Sequence, residues 1–385
     1  MTLEEACVLV ADCPHTTAPD EGEGYPLVRT PNIGYGRLVF DKMHRVSKGV
    51  YETRNKRARP EPGDLIFARE APAGNVALVM PGQEVCLGQR TVLLRPNKGI
   101  VDSAFLTYYL LSPEQRNRLI GTATGVTVAH INIPEIRRLK VSFPPLPVQK
   151  KIASIFSAYD DLIENNRRRI AILEEMARKV YRKRFSGKNA NGTIADVGAV
   201  CDTIGGGTPS TSISDYWEGG TIPWVVPTDV TRNTSLILLD TDRKITQKGL
   251  ESSSSRMLPA RSILMTSRAS VGYFAIANFP VCTNQGFISI VPHEEKMRYY
   301  LLHNLMERVE EIRSNAKGST FPEISKMRFR SLKINVPSQG ALNNFHLIVE
   351  PIYNQVQTLA EANRKLAAAR DALLPKLMSG RICSD

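Results

Sequence analysis

Residues 125–144 read GVTVAHINIPEIRRLKVSFP, and residues 318–337 read GSTFPEISKMRFRSLKINVP. Both run from a glycine to a proline over twenty positions at an offset of 193. Seven positions are identical: Gly125/Gly318, Thr127/Thr320, Ile131/Ile324, Arg137/Arg330, Leu139/Leu332, Lys140/Lys333 and Pro144/Pro337. Average residue usage gives roughly one or two matches over such a stretch. Further parallels lie on either side, as an internal repeat requires. DLIFAREAPAGNVAL (64–78) lies beside SILMTSRASVGYFAI (262–276), and VCLGQ (85–89) beside VCTNQ (281–285). YYLL occurs at 108–111 and again at 299–302, and the 193 offset holds down to Ser186/Ser379 and Gly187/Gly380. The chain is a tandem duplication, with one unit over about 1–187 and the next over about 190–380.

Each unit has two parts of different character. The first is built from short β-branched and aromatic runs broken by Gly, Pro, Asn and Asp, such as YPLVRT (25–30), TVLLRP (91–96), TIPWVV (221–226) and FISIVP (287–292). These predict strands between turns, with a helix around each YYLL. In the second part the period changes. From Pro147 to Phe185 there is neither Gly nor further Pro, and apolar side chains recur at spacings of three and four. The stripe is Ile152, Phe156, Tyr159, Ile163, Asn166, Ile170, Leu173, Ala177 and Val180, and the repeat carries it to Phe345, Val349, Ile352, Val356, Leu359, Asn363, Leu366 and Leu373. Such a stripe predicts a coiled-coil seam on a long helix. The two helices are natural partners and, with a whole domain between them, pair antiparallel. Asn166 and Asn363 stand on the stripe, where buried amides fix register at a cost in stability. Arg370 also falls there and must snorkel or face a partner, and Pro351 and Pro375 predict an irregular start and an early end for the second helix. The expected fold is mixed α/β and pseudo-two-fold symmetric, with two tandem α/β domains separated by a helical pair. The expected domains are 1–145, helix 146–187, 188–337, and helix with tail 338–385.

At 385 residues, two or more cores are the prior expectation. No apolar run is long enough to cross a bilayer, and the acidic start MTLEEACVLV does not read as a signal peptide. The six cysteines have no CxxC spacing, so free thiols in a reducing compartment are expected, without metal. The net charge of +12 favours a polyanionic partner. Residues 146–188 carry 11 Lys and Arg against 5 Asp and Glu, half of that excess. No GxxxxGK[ST] loop, HExxH, GxSxG elbow or amino-methyltransferase motif is present, and GGGT (205–208) lacks the lysine of a phosphate loop. The chain reads as non-catalytic.

PPLPVQKKIASIFSAYDDLIENNRRRIAILEEM (144–176) and LLPKLMSGRI (373–382) resemble the helical spacers of type I restriction-modification specificity subunits. GGGTPSTSISDYWEGGTIPWVVPTDV (205–230), TSRASVG (266–272) and TNQGF (283–287) resemble segments of that family's target recognition domains. The resemblance covers essentially the whole chain. It departs where unit one has YPLVRTPNI and GQR, and where the second helix opens on VPSQGAL (336–342). It implies two recognition domains, one per half of a bipartite double-stranded DNA target. It further implies docking of two modification (methyltransferase) subunits and two restriction (translocase/endonuclease) subunits, in a prokaryotic cytoplasm without membrane attachment. The chain itself would hold no cofactor; S-adenosylmethionine, ATP and Mg would sit on the partners. The alternative is a coiled-coil scaffold whose terminal domains bind protein or RNA.

Base readout needs Arg, Lys, Asn, Gln, Ser or Thr on loops or helix ends. The candidates in unit one are Arg29, Asn32, Arg37, Arg69, Gln89, Arg90, Thr124 and Thr127. In unit two they are Thr208, Ser210, Thr228, Thr231, Arg232, Arg268, Asn284, Gln285, Lys317, Ser319 and Thr320. Shared pairs such as Gln89/Gln285 and Thr127/Thr320 could equally brace the domain. Residues that differ between the units, such as Arg90 against Gly286, are the better readers. Trp217, Trp224 and the paired tyrosines are expected in the core, and Arg167–Arg169 on a solvated helix face.

Overall fold

The computed structural model describes residues 1–123, 130–186, 192–318 and 322–380. It forms two compact units, Met1–Ile163 with Lys365–Asp385, and Glu164–Arg364. Among the described residues of unit 1 the strands are β1 (Cys7–Asp12), β2 (Tyr25–Val28), β3 (Gly36–Arg37), β4 (Arg45–Val46), β5 (Leu65–Ala68), β6 (Val76–Leu78), β7 (Cys86–Leu87) and β8 (Thr91–Pro96). Its helices are α1 (Lys48–Arg54), α2 (Ser103–Leu111), α3 (Pro113–Gly121), α4 (Ile133–Arg138) and the first half of α5 (Leu146–Phe185). Unit 2 has β9 (Gly192–Asp196), β10 (Cys201–Gly205), β11 (Ile222–Val225), β12 (Ile237–Leu238), β13 (Arg243–Ile245), β14 (Ile263–Thr266), β15 (Phe274–Ala277), β16 (Cys282–Thr283), β17 (Phe287–Pro292) and β18 (Lys333–Pro337). Its helices are α6 (Pro227–Thr231), α7 (Gln247–Glu251), α8 (Arg298–Glu307), α9 (Val309–Ser314), α10 (Lys326–Arg330) and the first part of α11 (Gln339–Met378).

The duplication is visible strand by strand. Unit 1 has a sheet in the order β1-β8-β5-β6-β3 and a small one, β4-β2-β7; unit 2 has β10-β17-β14-β15-β12 and β13-β11-β16. Parallel pairing falls at equivalent places, β2 with β7 and β3 with β6, then β11 with β16 and β12 with β15. The two-stranded pair β18-β9 has a reduced counterpart in the Thr2–Lys140 bridge. β5 and β8 are buried along almost their whole length because both faces of the sheet are covered. Leu65 and Phe67 enter the core under α2, while Ile66 and Ala68 enter a second core toward the other side. Ile263 and Met265 divide from Leu264 in the same way.

The long helices complete one core in each unit, the one on the α2 side in unit 1 and its equivalent in unit 2. In unit 1, Ile152, Ala153 and Phe156 of α5 share a core with Leu374 and Leu377 of α11. In unit 2, Ile170, Ala177 and Tyr181 share one with Phe345, Val349, Tyr353, Val356 and Leu359. The start of α5 meets the end of α11 and the end of α5 meets the start of α11, so the pair is antiparallel. Leu366 is half-buried, and Asn166 donates to Asn363 at 2.9 Å.

The buried stripe departs from the expected one at several positions. Asp160, not Tyr159, is buried on α5, and Tyr353 and Leu374 lie deeper than Ile352 and Leu373. Tyr181 likewise takes the buried place beside Val180. The cause is the helical period of about 3.6 residues, which advances past a strict heptad. The two prolines also behave differently from expectation, because α11 runs unbroken from Gln339 to Met378. Pro351 and Pro375 both sit on its exposed side, and Leu347, whose carbonyl loses its partner at Pro351, is 70% exposed and open to water. Arg370 does not snorkel: it pairs with Asp160 at 2.6 Å, while the Tyr108 hydroxyl donates to the other Asp160 oxygen at 2.6 Å.

His303 on α8 gives unit 2 a pH signature. It is 1% exposed, accepts or donates at 3.1 Å with the Tyr353 hydroxyl, and lies against the Tyr181 ring near Glu307 and Arg178. Burial depresses its pKa to about 4. The unfolded state therefore binds more protons between about pH 6.5 and 4, and stability falls as pH drops through that window. Both tryptophans, Trp217 and Trp224, lie in unit 2, so urea unfolding read by their fluorescence reports on it. The expected loss from pH 7 to pH 4 is on the order of 3 kcal/mol in the wild type. His303→Asn removes the part of that loss lying above the carboxylate range.

Candidate nucleic-acid interface

The turn after β5 brings the strongest cluster in unit 1 together. Gly74 closes the turn at φ 83°, and Gly272 closes the equivalent turn of unit 2 at φ 87°. The same backbone bonds recur: Arg69 N–H donates to Arg90 O and Ser267 N–H to Gly286 O, while Ile131 and Ile324 donate to Arg69 O and Ser267 O. Two equivalent frames thus carry different side chains.

In unit 1 the frame encloses a cavity of about 360 Å³ lined by His15, Arg69, Glu70, Gln89, Arg90 and His130. Arg69 is 7% exposed and donates to Ile131 O at 3.0 Å, to Asp12 at 3.3 Å and to His130 Nε2 at 2.7 Å. Because His130 accepts at Nε2, its proton belongs on Nδ1, which donates to Glu70 at 2.8 Å. The other Glu70 oxygen accepts from Arg90 Nε at 2.8 Å. Arg90 holds φ 66° and its side chain is 62% exposed, so it is the cation this cluster turns toward solvent. Gln89 donates to His15 O at 3.0 Å and braces the rim.

Unit 2 places the opposite chemistry on the same two segments. Arg268 stands where unit 1 has Glu70, and Glu323 where it has His130. They approach at 3.7 Å, on a backbone bridge between the same two residues. Lys317 pairs its backbone with Glu323 and lines a cavity of about 790 Å³ with Arg328 and Lys333. Gln285 is exposed and bonds Thr208, and Asn284 turns its side chain onto Gly286 N–H at 2.9 Å. The glycines of GGGT serve close packing: a Cβ on Gly206 would strike the Thr283 and Asn284 carbonyls.

The other candidates divide by exposure. Asn32 is 3% exposed and bonds Arg29 N–H and Val39 O, so it braces a turn. Arg29 packs its stem on Gly88, and Arg37 pairs with Asp161 at 2.6 Å. Ser210, Thr228 and Arg232 are exposed, with Thr228 and Thr231 on α6. Thr124, Thr127, Ser319 and Thr320 lie outside the described residues. Glu70 and His130 escaped the sequence reading, although the repeat itself marks them by the exchange of acid and base. Trp224 is buried and Trp217 packs on it edge to face, with the Arg243 guanidinium 3.7 Å above the Trp217 ring. Arg167–Arg169 are exposed. Burial pushes the Cys7, Cys201 and Cys282 thiols up to about 12, far from nucleophilic thiolates. Among the described residues no His, Cys, Asp and Glu group could hold a metal, and no helix is long and apolar enough to cross a membrane.

The family model for the type I restriction modification DNA specificity domain matches residues 8–175 and again 189–359. A putative type I restriction enzyme MjaX specificity subunit from Methanocaldococcus jannaschii is 25% identical over 93% of the chain and 87% of that protein. The MjaIX specificity subunit of the same organism is 40% identical over 38% of the chain, a match that spans only 33% of that relative. The crystal structure of the type I restriction-modification S subunit from M. genitalium is similar in fold, with a TM-score of 0.55 and 17% identity over 98% of this chain and 95% of that one. The chain belongs to the type I restriction modification DNA specificity domain family, and it carries two copies of that domain in tandem.

Proposed function

We propose that the chain is the DNA specificity subunit of a type I restriction-modification complex and does no chemistry itself. Each unit reads one half of a bipartite duplex target. The observation that carries this reading is the pair of equivalent frames with exchanged side chains: Glu70, His130 and Arg90 in one, Arg268, Glu323 and Gly286 in the other. A frame kept constant while its charged contents change is what two readers of different sequences require. Two modification subunits holding S-adenosylmethionine, and two restriction subunits using ATP and Mg, complete the complex in the cytoplasm.

Arg90 and Arg268 are the leading base readers. Each is solvent-facing and leans on one carboxylate, which orients the guanidinium. A neighbouring carboxylate disfavours a phosphate contact and suits a base edge, where arginine bonds guanine O6 and N7. Arg69 and Asn32 are supports. The phosphate contacts fall to exposed cations such as Arg232 and Lys317.

Replacing residues 192–337 by the corresponding segment of a related subunit changes only one half of the methylated sequence. Both halves changing together would contradict independent reading. Arg90→Ala in the assembled complex relaxes one position of one half-site, with about a 10- to 100-fold loss of discrimination there. Arg268→Ala does the same in the other half. A uniform loss across all sequences with a shallower salt dependence would instead make these arginines phosphate contacts.

A further inference from the structure

The stripes of α5 and α11 descend from one sequence, so each could in principle pair with a copy of itself. Position by position they are nevertheless not interchangeable. In unit 1 the buried Asp160 of α5 meets the buried Arg370 of α11 at 2.6 Å. In unit 2 the half-buried Asn166 of α5 donates to Asn363 of α11 at 2.9 Å. At the 193 offset, Asp160 corresponds to Tyr353, Arg370 to Ala177, Asn166 to Leu359 and Asn363 to Ile170. All four counterparts are buried in the core of unit 2, with at most 5% exposure. The register set by Asn166 and Asn363 brings Ile170 to the level of Leu359, and Ala177 to the turn of Tyr353. Each polar pair is thus matched by an apolar pair at the pseudo-equivalent level.

Consider α5 against α5 of a second copy in the same antiparallel register. Asp160 meets the second copy's Ala177, and Asn166 meets the second copy's Ile170. With α11 against α11, Arg370 meets the second copy's Tyr353, and Asn363 meets the second copy's Leu359. Every polar group then faces an apolar one. Asp160 becomes a buried charge without its counter-charge, the heaviest of these penalties, while Arg370 keeps only the Asp371 carboxylate of its own helix at 2.8 Å. Only α5 with α11 satisfies all four.

We infer that Asp160–Arg370 and Asn166–Asn363 form a pairing code: the α5 stripe accepts α11 and rejects a second copy of itself. The repulsive element is as much a part of the code as the attractive one. The apolar seam supplies adhesion without discrimination, and the two polar pairs supply the choice. Under the proposed function, the consequence is a complex with two different recognition units. Like-with-like pairing would present two copies of one unit and a symmetric target.

The test needs no DNA, so its outcome is independent of that function. A protease site placed between Ser186 and Gly192 lets the folded full-length chain be cut once. The cut protein is unfolded in urea and refolded at micromolar concentration, and the complexes are weighed by native mass spectrometry. In the wild type, complexes of one N-terminal with one C-terminal piece exceed like pairs by more than about a hundredfold. The variant D160Y/R370A/N166L/N363I copies the apolar counterparts onto both pairs. Its pieces assort without preference, and like pairs reach about half of the total. Because Asp160 packs close to Gly36 and Tyr108, N166L/N363I alone provides a milder variant, with a smaller but measurable rise in like pairs. Free formation of like pairs by the wild type overturns the inference, and so do variants that refold as selectively as the wild type.

Discussion

The largest core of each unit draws residues from both long helices. Phe156 near the start of α5 and Leu374 near the end of α11 pack in the same cluster under the β1-β8-β5-β6-β3 sheet. Tyr181 and Phe345 do the corresponding service in unit 2. A segment some two hundred residues away in sequence therefore completes each domain, and the loop-closure entropy of that arrangement is offset by burial of two long apolar stripes. The same side chains thus serve the domain cores and the helix pair. That is why the compact units cut across the helices and do not end where the strands end.

With the frame secured in this way, each unit's surface loops are free to diverge. The turn after β5 and the turn after β14 keep the same glycine and the same backbone bonds, while their side chains exchange acid for base. Buried Arg69 spends its donors on the scaffold, whereas Arg90, one turn of chain away in space, leans outward on Glu70. The two neighbouring arginines thus differ in exposure, one held within the scaffold and one at the rim. A charge that is buried and satisfied is costly to change, and one at the rim is not.

Much of this was legible in the sequence because a duplication supplies its own comparison. The described part of the shared phrase, 130–144 and 322–337, carries α4 in one unit and α10 and β18 in the other, and the strand runs and long stripes likewise correspond to elements of the fold. What was not legible has physical causes. Heptad counting named Tyr159, because the drift of a real helix toward 3.6 residues per turn appears only once partners are in place. The prolines of α11 are tolerated because they sit on an exposed side, which needs knowledge of the packed face. Asn32 and Arg69 are candidates by residue type, but that both are buried and bonded within the protein is visible only in the fold. Glu70 and His130 lie 60 residues apart and meet only through tertiary structure.

The central claim is that two similar domains of one chain read two different half-sites. Mapping methylated adenines on genomic DNA, with this chain and its modification subunits expressed together, tests it most directly. The account predicts one bipartite sequence: two short defined segments, different from each other, separated by a spacer of fixed length and free composition. A single contiguous target, or a bipartite one with identical inverted halves, would contradict it.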